Sequence, residues 1–249
     1  MGTAVNDAAW IRRFHPGPEG VPLVVCLPHA GGSASFYHPL SAALAPHAEM
    51  LAVQYPGRQD RRSEPFAATI DELADRIAAA LRPWRDRPLA LFGHSMGALV
   101  AFETARRLDD VPVLFASGRR APSLVRPETV HARDDAGLLA ELRHLAGTQA
   151  ELLGDEELLG LILPSLRADY AALDAYRLPA DAEPLDCPVT VLVGDADPVT
   201  PVEEARAWEA HTTGPFDLRV LPGGHFFVAD QRAAVAALIL DGLGAGAAR

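Results

Sequence analysis

The sequence predicts an α/β fold built on a mostly parallel sheet flanked by helices. Three observations predict it. Short apolar, β-branched runs recur along the chain, each followed by a helical pattern, the rhythm produced when a strand returns parallel to its neighbour through a crossover helix. The runs are nearly continuous rather than alternating, as expected where helices cover both sheet faces. The helical stretches also carry their own start signals.

In order, the strand candidates are Pro22–Leu27, Met50–Gln54, Leu89–Phe92, Val111–Ser117, Val189–Val193 and Asp217–Leu221. Thr69-Ile-Asp-Glu72 reads as a capping box opening a helix that runs to Arg82, and Thr200-Pro-Val-Glu203 as a second with Pro201 at the first helical position. Gly97–Leu108 continues as a helix directly after the third strand, and Gln231–Leu243 closes the chain as an Ala/Leu-rich helix. About seventy residues between Ser117 and Val189 show no strand signal. Leu138, Leu139, Leu142 and Leu145 fall at helical spacing there, with Asp135 as a cap. Leu152, Leu153, Leu158, Leu159, Leu161, Ile162 and Leu163 follow, with a start at Gly154-Asp155 and a break at Pro164. Leu166, Tyr170 and Leu173 continue the pattern. The expected organisation is a single domain, 1–249, carrying a helical lid insertion at about 120–185, with extra core as the alternative to a lid.

Composition narrows the function. Of the 249 residues, 49% are hydrophobic and 22% charged, too apolar for a disordered chain. The net charge of −11, with every basic residue an arginine, argues against general affinity for nucleic acid. Two cysteines, Cys26 and Cys187, cannot make a disulfide framework for a chain of this size and point to a reducing compartment. Met1–Trp10 has no basic start or apolar core of a signal peptide, and no run reaches the ~18–20 residues of a membrane span. The expectation is a soluble, cytoplasmic protein with no membrane partner. No Cys/His spacing suggests a metal, and no cofactor is expected.

The sharpest chemical signal is Gly93-His94-Ser95-Met96-Gly97, a G-x-S-x-G pattern between an apolar strand and a helix. So tight a strand-to-helix turn needs small neighbours and leaves the serine hydroxyl exposed at the sheet edge, which is the nucleophile elbow of the α/β-hydrolase fold. A serine needs a base, and the base an orienting acid. In that fold the acid and histidine follow later strands, in that order. The fifth strand runs into Gly194-Asp-Ala-Asp-Pro198 and the sixth into Pro222-Gly-Gly-His225. His225 is therefore the candidate base. His211 lies in a helical pattern, and His131 and His144 lie in the insertion. Asp197 is favoured as the acid because it clears the strand end; Asp195, closer to the strand, suits local backbone bonding.

An oxyanion requires two amides aimed in advance. Met96, next after the serine, offers one. The other is expected in the loop Pro28-His-Ala-Gly-Gly-Ser33, from Ala30, with Gly31 in reserve. His29 reads as a loop brace and His94 as packing. Arg58, Arg61, Arg62, Arg119 and Arg120 all follow strand C-termini, where open α/β sheets bind ligands; solvated charge is their default reading, with a seat for an acidic partner as the alternative.

Taken together, Pro28-His-Ala-Gly-Gly32, Tyr55-Pro-Gly-Arg58, Leu91-Phe-Gly-His-Ser-Met-Gly-Ala98, Leu163-Pro-Ser-Leu-Arg-Ala-Asp-Tyr170, Gly194-Asp-Ala-Asp-Pro198, Trp208–Pro215 and Phe216 through Gly223-Gly-His-Phe-Phe-Val228 resemble the type II thioesterases, over nearly the whole chain. These are stand-alone editing enzymes of polyketide synthases and nonribosomal peptide synthetases. The resemblance implies hydrolysis of acyl groups from the phosphopantetheine thiol of an acyl or peptidyl carrier protein, through an acyl-serine. It also implies Ser95 as nucleophile, His225 as base, Asp197 as acid, the Ala30 and Met96 amides as oxyanion hole, and a lid over a modest acyl chamber. The residues alone leave open a carboxylesterase or lipase on small esters, an acyltransferase with the same triad, or a non-catalytic carrier-binding module.

Overall fold

The computed structural model describes residues 9–127, 129–146 and 156–246. Its strands are β1 (Ile11–Arg12), β2 (Leu23–Leu27), β3 (Glu49–Val53), β4 (Leu89–His94), β5 (Leu114–Ser117), β6 (Val189–Gly194) and β7 (Phe216–Leu221). They form one seven-stranded sheet in the order β1-β3-β2-β4-β5-β6-β7. All neighbours are parallel except β1, which pairs antiparallel with β3 (Ile11 opposite Val53). The six expected strands are all present. Val111–Ser117 shortens to Leu114–Ser117, with Pro112, which has no amide for a ladder, left outside it. The short, half-polar β1 has no apolar run to announce it.

The helices are α1 (His38–Leu44), α2 (Ile70–Ala80), α3 (Met96–Ala105), α4 (Asp135–Ala146), α5 (Glu156–Ala175), α6 (Val202–Arg206), α7 (Phe227–Asp230) and α8 (Arg232–Gly246). Strand alternation splits the core into two apolar layers. Leu23, Val25, Leu27, Leu51, Leu89 and Leu91 point to the face carrying α2, α3 and α5. Val24, Cys26, Met50, Ala52, Ala90 and Phe92 point to the face carrying α1, α7 and α8. Every residue of α3 is buried, so its sequence is apolar all round instead of amphipathic. The exposed edge β7 carries the Asp217–Arg219 ion pair, a charge that discourages edge-to-edge pairing.

Local signals are met in part. Thr69 Oγ1 accepts the Glu72 amide at 3.0 Å, so Thr69 caps α2 as expected, and Glu72 Oε2 reaches back one residue beyond the cap to accept the Ala68 amide at 2.7 Å. The second expected capping box does not form. α6 starts at Val202, one residue later than expected, with Pro201 in the cap position and no side-chain cap, and the Thr200 amide, which a capping box would give to Glu203, donates instead to Asp197 Oδ1 at 3.2 Å. Asp134, not Asp135, caps α4 by accepting the Gly137 amide at 2.9 Å; Asp135 pairs with Arg167 at 2.8 Å.

Between β5 and β6 the described residues form a 3-10 turn (Thr129–Ala132), α4, α5 and an isolated bridge between Leu185 and Thr212. The expected helix start at Gly154-Asp155, with Leu152 and Leu153, lies outside the described residues. Pro164 does not break α5, which runs through it. The carbonyl that loses its partner there belongs to Gly160, an exposed residue, which leaves room for water in place of the missing amide. Leu166, Tyr170 and Leu173 bury onto the main core, as does Leu138 of α4.

Candidate active site

Because β2 and β4 are parallel neighbours, with Leu27 opposite Gly93, the loops that leave them lie side by side. Ser95 sits between β4 and α3 at φ 55°, ψ −119°, a conformation that L-residues rarely adopt. Its amide donates to Ser117 O of β5 at 2.7 Å, fixing the turn to the next strand. The flanking glycines are required by close approach. A Cβ on Gly97 would lie 2.0 Å from Leu27 O, and one on Gly93 would lie 2.0 Å from Gly97 O. Both obstacles are backbone and cannot rotate away. Gly97→Ala is therefore expected to destabilise the protein by about 3 kcal/mol or more, a drop of roughly 10 °C in Tm at this chain length. Thermal melts check this, and an unchanged Tm would contradict the packing described.

The structure brings together three side chains far apart in sequence. His225 Nε2 lies 3.0 Å from Ser95 Oγ, and His225 Nδ1 lies 2.9 Å from Asp197 Oδ2. An ionised carboxylate only accepts, so Nδ1 carries the hydrogen and donates it to Asp197. That leaves the Nε2 lone pair to accept from the serine hydroxyl. The Asp197 side chain is fully buried and that of His225 is 2% exposed. Asp197 Oδ1 accepts the Val199 and Thr200 amides at 2.9 and 3.2 Å, which locks the carboxylate plane.

Asp195 has a different task. Its Oδ1 accepts the Gly223 amide at 2.9 Å, while the Asp195 and Ala196 amides donate to Leu221 O and Gly223 O. Those bonds stitch the loop after β6 to the loop after β7 and so set the height of His225. The sequence left the two aspartates as alternatives; the structure puts Asp197, and not Asp195, against the imidazole.

Ala30 and Met96 are both buried, Ala30 in the loop after β2 and Met96 at the first position of α3. Among the described residues neither amide has an intramolecular acceptor, whereas the Gly31 amide is taken by Asp169 Oδ2 at 2.7 Å. Gly31, held in reserve for the oxyanion, is thereby committed elsewhere.

Two further histidines crowd the imidazole. His94 is fully buried, 5.2 Å from the His225 ring, and its Nδ1 meets Ser117 Oγ at 3.0 Å. His29 packs edge-on to Phe36 and Phe226, as a brace should. Burial, with His225 alongside, pushes His94 well below the usual imidazole range. Burial, then His225 and Arg58, holds His29 down at about 3. Both stay neutral, so neither sets a cation beside His225 that would oppose its protonation.

A stability consequence follows. Unfolded histidines titrate near pH 6.5, while these two take no proton in the native state until well below that. The unfolded state then binds more protons, so stability falls as pH falls from about 6.5, by as much as about 1.4 kcal/mol per pH unit for each histidine. Urea titrations between pH 7 and 5, compared with His29→Gln, check this. The slope should flatten in the variant; an unchanged slope would contradict a native His29 held neutral.

Arg58, Arg61 and Arg120 are not the solvated charges first expected. Arg58 is buried in a bidentate pair with Asp169, both contacts 2.8 Å. Arg61 is buried over the Trp10 ring at 4.3 Å, donates to Gln54 O and pairs with Glu64. Arg120 is buried and donates to Leu124 O and Arg126 O, which makes it a loop brace and removes it as a seat for an acidic partner. Only Arg62 of the first group remains exposed. Sequence reasoning gave Asp169 no task of its own, although it sits in the Leu163–Tyr170 motif; Gln54, which accepts the Ala34 amide at 3.0 Å and donates to Arg58 O, was taken only as a strand end.

Among the described residues no cluster of three or more His, Cys, Asp or Glu is placed to hold a metal, and no helix is long and apolar enough to cross a membrane.

Residues 22–243 match the family described as the thioesterase domain. The chain is 54% identical over 239 residues to a probable cadicidin biosynthesis thioesterase from Streptomyces griseus, covering 94% of this chain and 66% of that one. It is 52% identical over 233 residues to the thioesterase PikA5 from Streptomyces venezuelae, covering 91% and 83%. Among solved structures, the type II thioesterase BorB from the borrelidin biosynthetic cluster superposes with a TM-score of 0.90 at 48% identity, covering 97% of this chain and all of that one. The sheet and its flanking helices are those of the α/β-hydrolase fold. The chain belongs to the thioesterase family, and within it to the type II thioesterases.

Proposed function

We propose that Ser95 is the nucleophile, His225 the general base and Asp197 its orienting acid in hydrolysis of acyl thioesters held on the phosphopantetheine arm of a carrier protein. The setting is polyketide or nonribosomal peptide biosynthesis, as for the 34% identical type II thioesterase YbtT from the yersiniabactin NRPS/PKS biosynthetic pathway. His225 takes the Ser95 proton as Oγ attacks the thioester carbonyl, and the Ala30 and Met96 amides receive the developing oxyanion. The thiol leaves with the proton returned by His225, giving an acyl-serine. Water, deprotonated by the same imidazole, then releases the free acid. The observation that carries this reading is the unbroken chain Ser95 Oγ, His225 Nε2, His225 Nδ1, Asp197 Oδ2 at 3.0 and 2.9 Å.

The α4–α5 insertion within about 120–185 acts as a lid over the acyl group. Support comes from Ile162 and Leu166 of α5, whose side chains lie against Gly31, 3.3 and 3.0 Å from where its Cβ would be. A cytoplasmic site of action accords with two buried free thiols, Cys187 pushed up to about 11 and Cys26 raised well above its ordinary range, both by burial.

The test compares hydrolysis of an acyl-carrier protein with that of the p-nitrophenyl ester of the same acid. A higher kcat/KM on the carrier thioester is expected. Preference for the free ester would make the enzyme a carboxylesterase, and acyl transfer to an added alcohol or amine in place of water would make it an acyltransferase.

A further inference from the structure

Two of the motifs described above take no part in the chemistry, Tyr55–Arg58 and Leu163–Tyr170. They meet behind the loop that holds Ala30. Residues 29–32 form a β-turn in which the Gly32 amide donates to His29 O at 2.9 Å and Gly31 adopts φ +71°. Positive φ at the third position is the mark of a type II turn, with Ala30 at the second. The central peptide of such a turn, Ala30 C=O with Gly31 N–H, follows directly on the peptide that carries Ala30 N–H, so anchoring it fixes the loop that presents that amide. Here it is held from outside: Gly31 N–H donates to Asp169 Oδ2 at 2.7 Å.

Asp169 is itself held. Both its oxygens accept from the Arg58 guanidinium at 2.8 Å, and Arg58 Nη1 also donates to Gly32 O at 3.1 Å. The two side chains are only 7% and 5% exposed. Tyr55 lies beneath the guanidinium and donates to Pro28 O at 3.2 Å. One ion pair therefore grips the turn on both sides of Gly31. Its carboxylate comes from α5, and its cation from the loop after β3.

We propose that Arg58 and Asp169 are a positioning pair for the reaction. They hold the turn in the orientation that aims Ala30 N–H at the substrate carbonyl oxygen, and so make the oxyanion hole conditional on α5 being docked. Neither touches substrate. The proposal rests on the assignment of Ala30 as oxyanion donor made above. A donor aimed before the reaction stabilises the developing oxyanion without reorganising, and a loop released from its anchors at Gly31 N–H and Gly32 O is free to shift and loses that advantage. The loss is specific to the transition state. It lowers kcat while leaving ground-state binding of the acyl arm, and so KM, alone.

Truncating one member of a buried pair to alanine leaves a cavity as well as stranding the charge of the other. The test therefore uses Asp169→Asn, which gives up the charge but keeps the shape and one acceptor oxygen, and Arg58→Lys, which keeps the charge but loses the bidentate fork. Tyr176→Phe, which removes the hydrogen bond of Tyr176 to Glu103, serves as the control for a buried polar contact remote from the turn. On an acyl-carrier thioester, kcat is expected to fall about 10- to 100-fold in folded Asp169→Asn, with KM within about threefold. The pH profile of kcat should keep its shape, because His225 and Asp197 are untouched. Affinity for a trifluoromethyl ketone analogue, which forms a tetrahedral oxyanion on Ser95, should fall in step with kcat. Arg58→Lys should move the same quantities in the same direction, and Tyr176→Phe should leave them within about twofold. If one variant fails to fold, the other carries the test.

The proposal is overturned if a folded variant keeps kcat within about twofold, or if its loss appears in KM with analogue affinity unchanged. Wild-type protein that turns over no carrier thioester would instead overturn the proposed function, and this pair with it.

Discussion

Ser95→Ala should reduce kcat on a carrier-bound thioester by roughly 10⁵-fold or more, the scale seen when a hydrolase loses its nucleophile, and leave the fold intact. The serine is half-exposed, and its side chain contributes one hydrogen bond, to His225, worth about 1 kcal/mol net. Tm should therefore drop by no more than about 4 °C. The backbone adds a second readout. At φ 55° the residue lies where glycine is favoured, at a cost to other residues of order 1–3 kcal/mol. Ser95→Gly should be as inactive as Ser95→Ala and melt higher than it. Turnover by Ser95→Ala above a few percent of wild type would refute the nucleophile assignment.

Asp197→Asn should cost about 10⁴ in kcat, the penalty expected when the imidazole is held in the wrong tautomer. The surroundings show why. The carboxylate accepts on both oxygens, from the Val199 and Thr200 amides on Oδ1 and from His225 Nδ1 on Oδ2. An asparagine has one oxygen for these two directions. With that oxygen on the amides, its NH₂ faces Nδ1, which must then become an acceptor. The ring proton moves to Nε2, where it blocks the transfer from Ser95. Asp195→Asn removes only a stitch to the Gly223 amide and should cost about tenfold or less. Steady-state kinetics on the two purified variants check this, and the reverse order would exchange the two aspartates' roles.

Why these positions could be read from sequence, and others could not, has a physical basis. The elbow is local: two glycines and a serine between an apolar strand and an apolar helix describe a turn whose backbone admits little else, and the close approach at Gly97 is its cause. Asp197 and His225 were readable because each closely follows a strand, the first an apolar run and the second an alternating edge strand, and parallel strands deliver their C-terminal loops to one edge. The Arg58–Asp169 pair was not readable, since its members are 111 positions apart and an arginine in a loop resembles any solvated charge until packing buries it. Pro164 misled because the cost of a helical proline depends on what surrounds the orphaned carbonyl, and Gly160, which carries it, is an exposed residue. Thr200 misled because the amide it was expected to bring into a helix start was already claimed by Asp197. Such competition between partners for one amide has no signature in spacing.

The most direct measurement is active-site labelling with a fluorophosphonate followed by tryptic mapping. Trypsin does not cut before Pro88, so Ser95 lies in the peptide of residues 86–106. One phosphonyl group is expected, on Ser95 in that peptide, with carrier-thioester hydrolysis lost in proportion to its occupancy and neither effect in Ser95→Ala. Inactivation with the label on a different residue, or hydrolysis that persists with Ser95 fully phosphonylated, would contradict the mechanism.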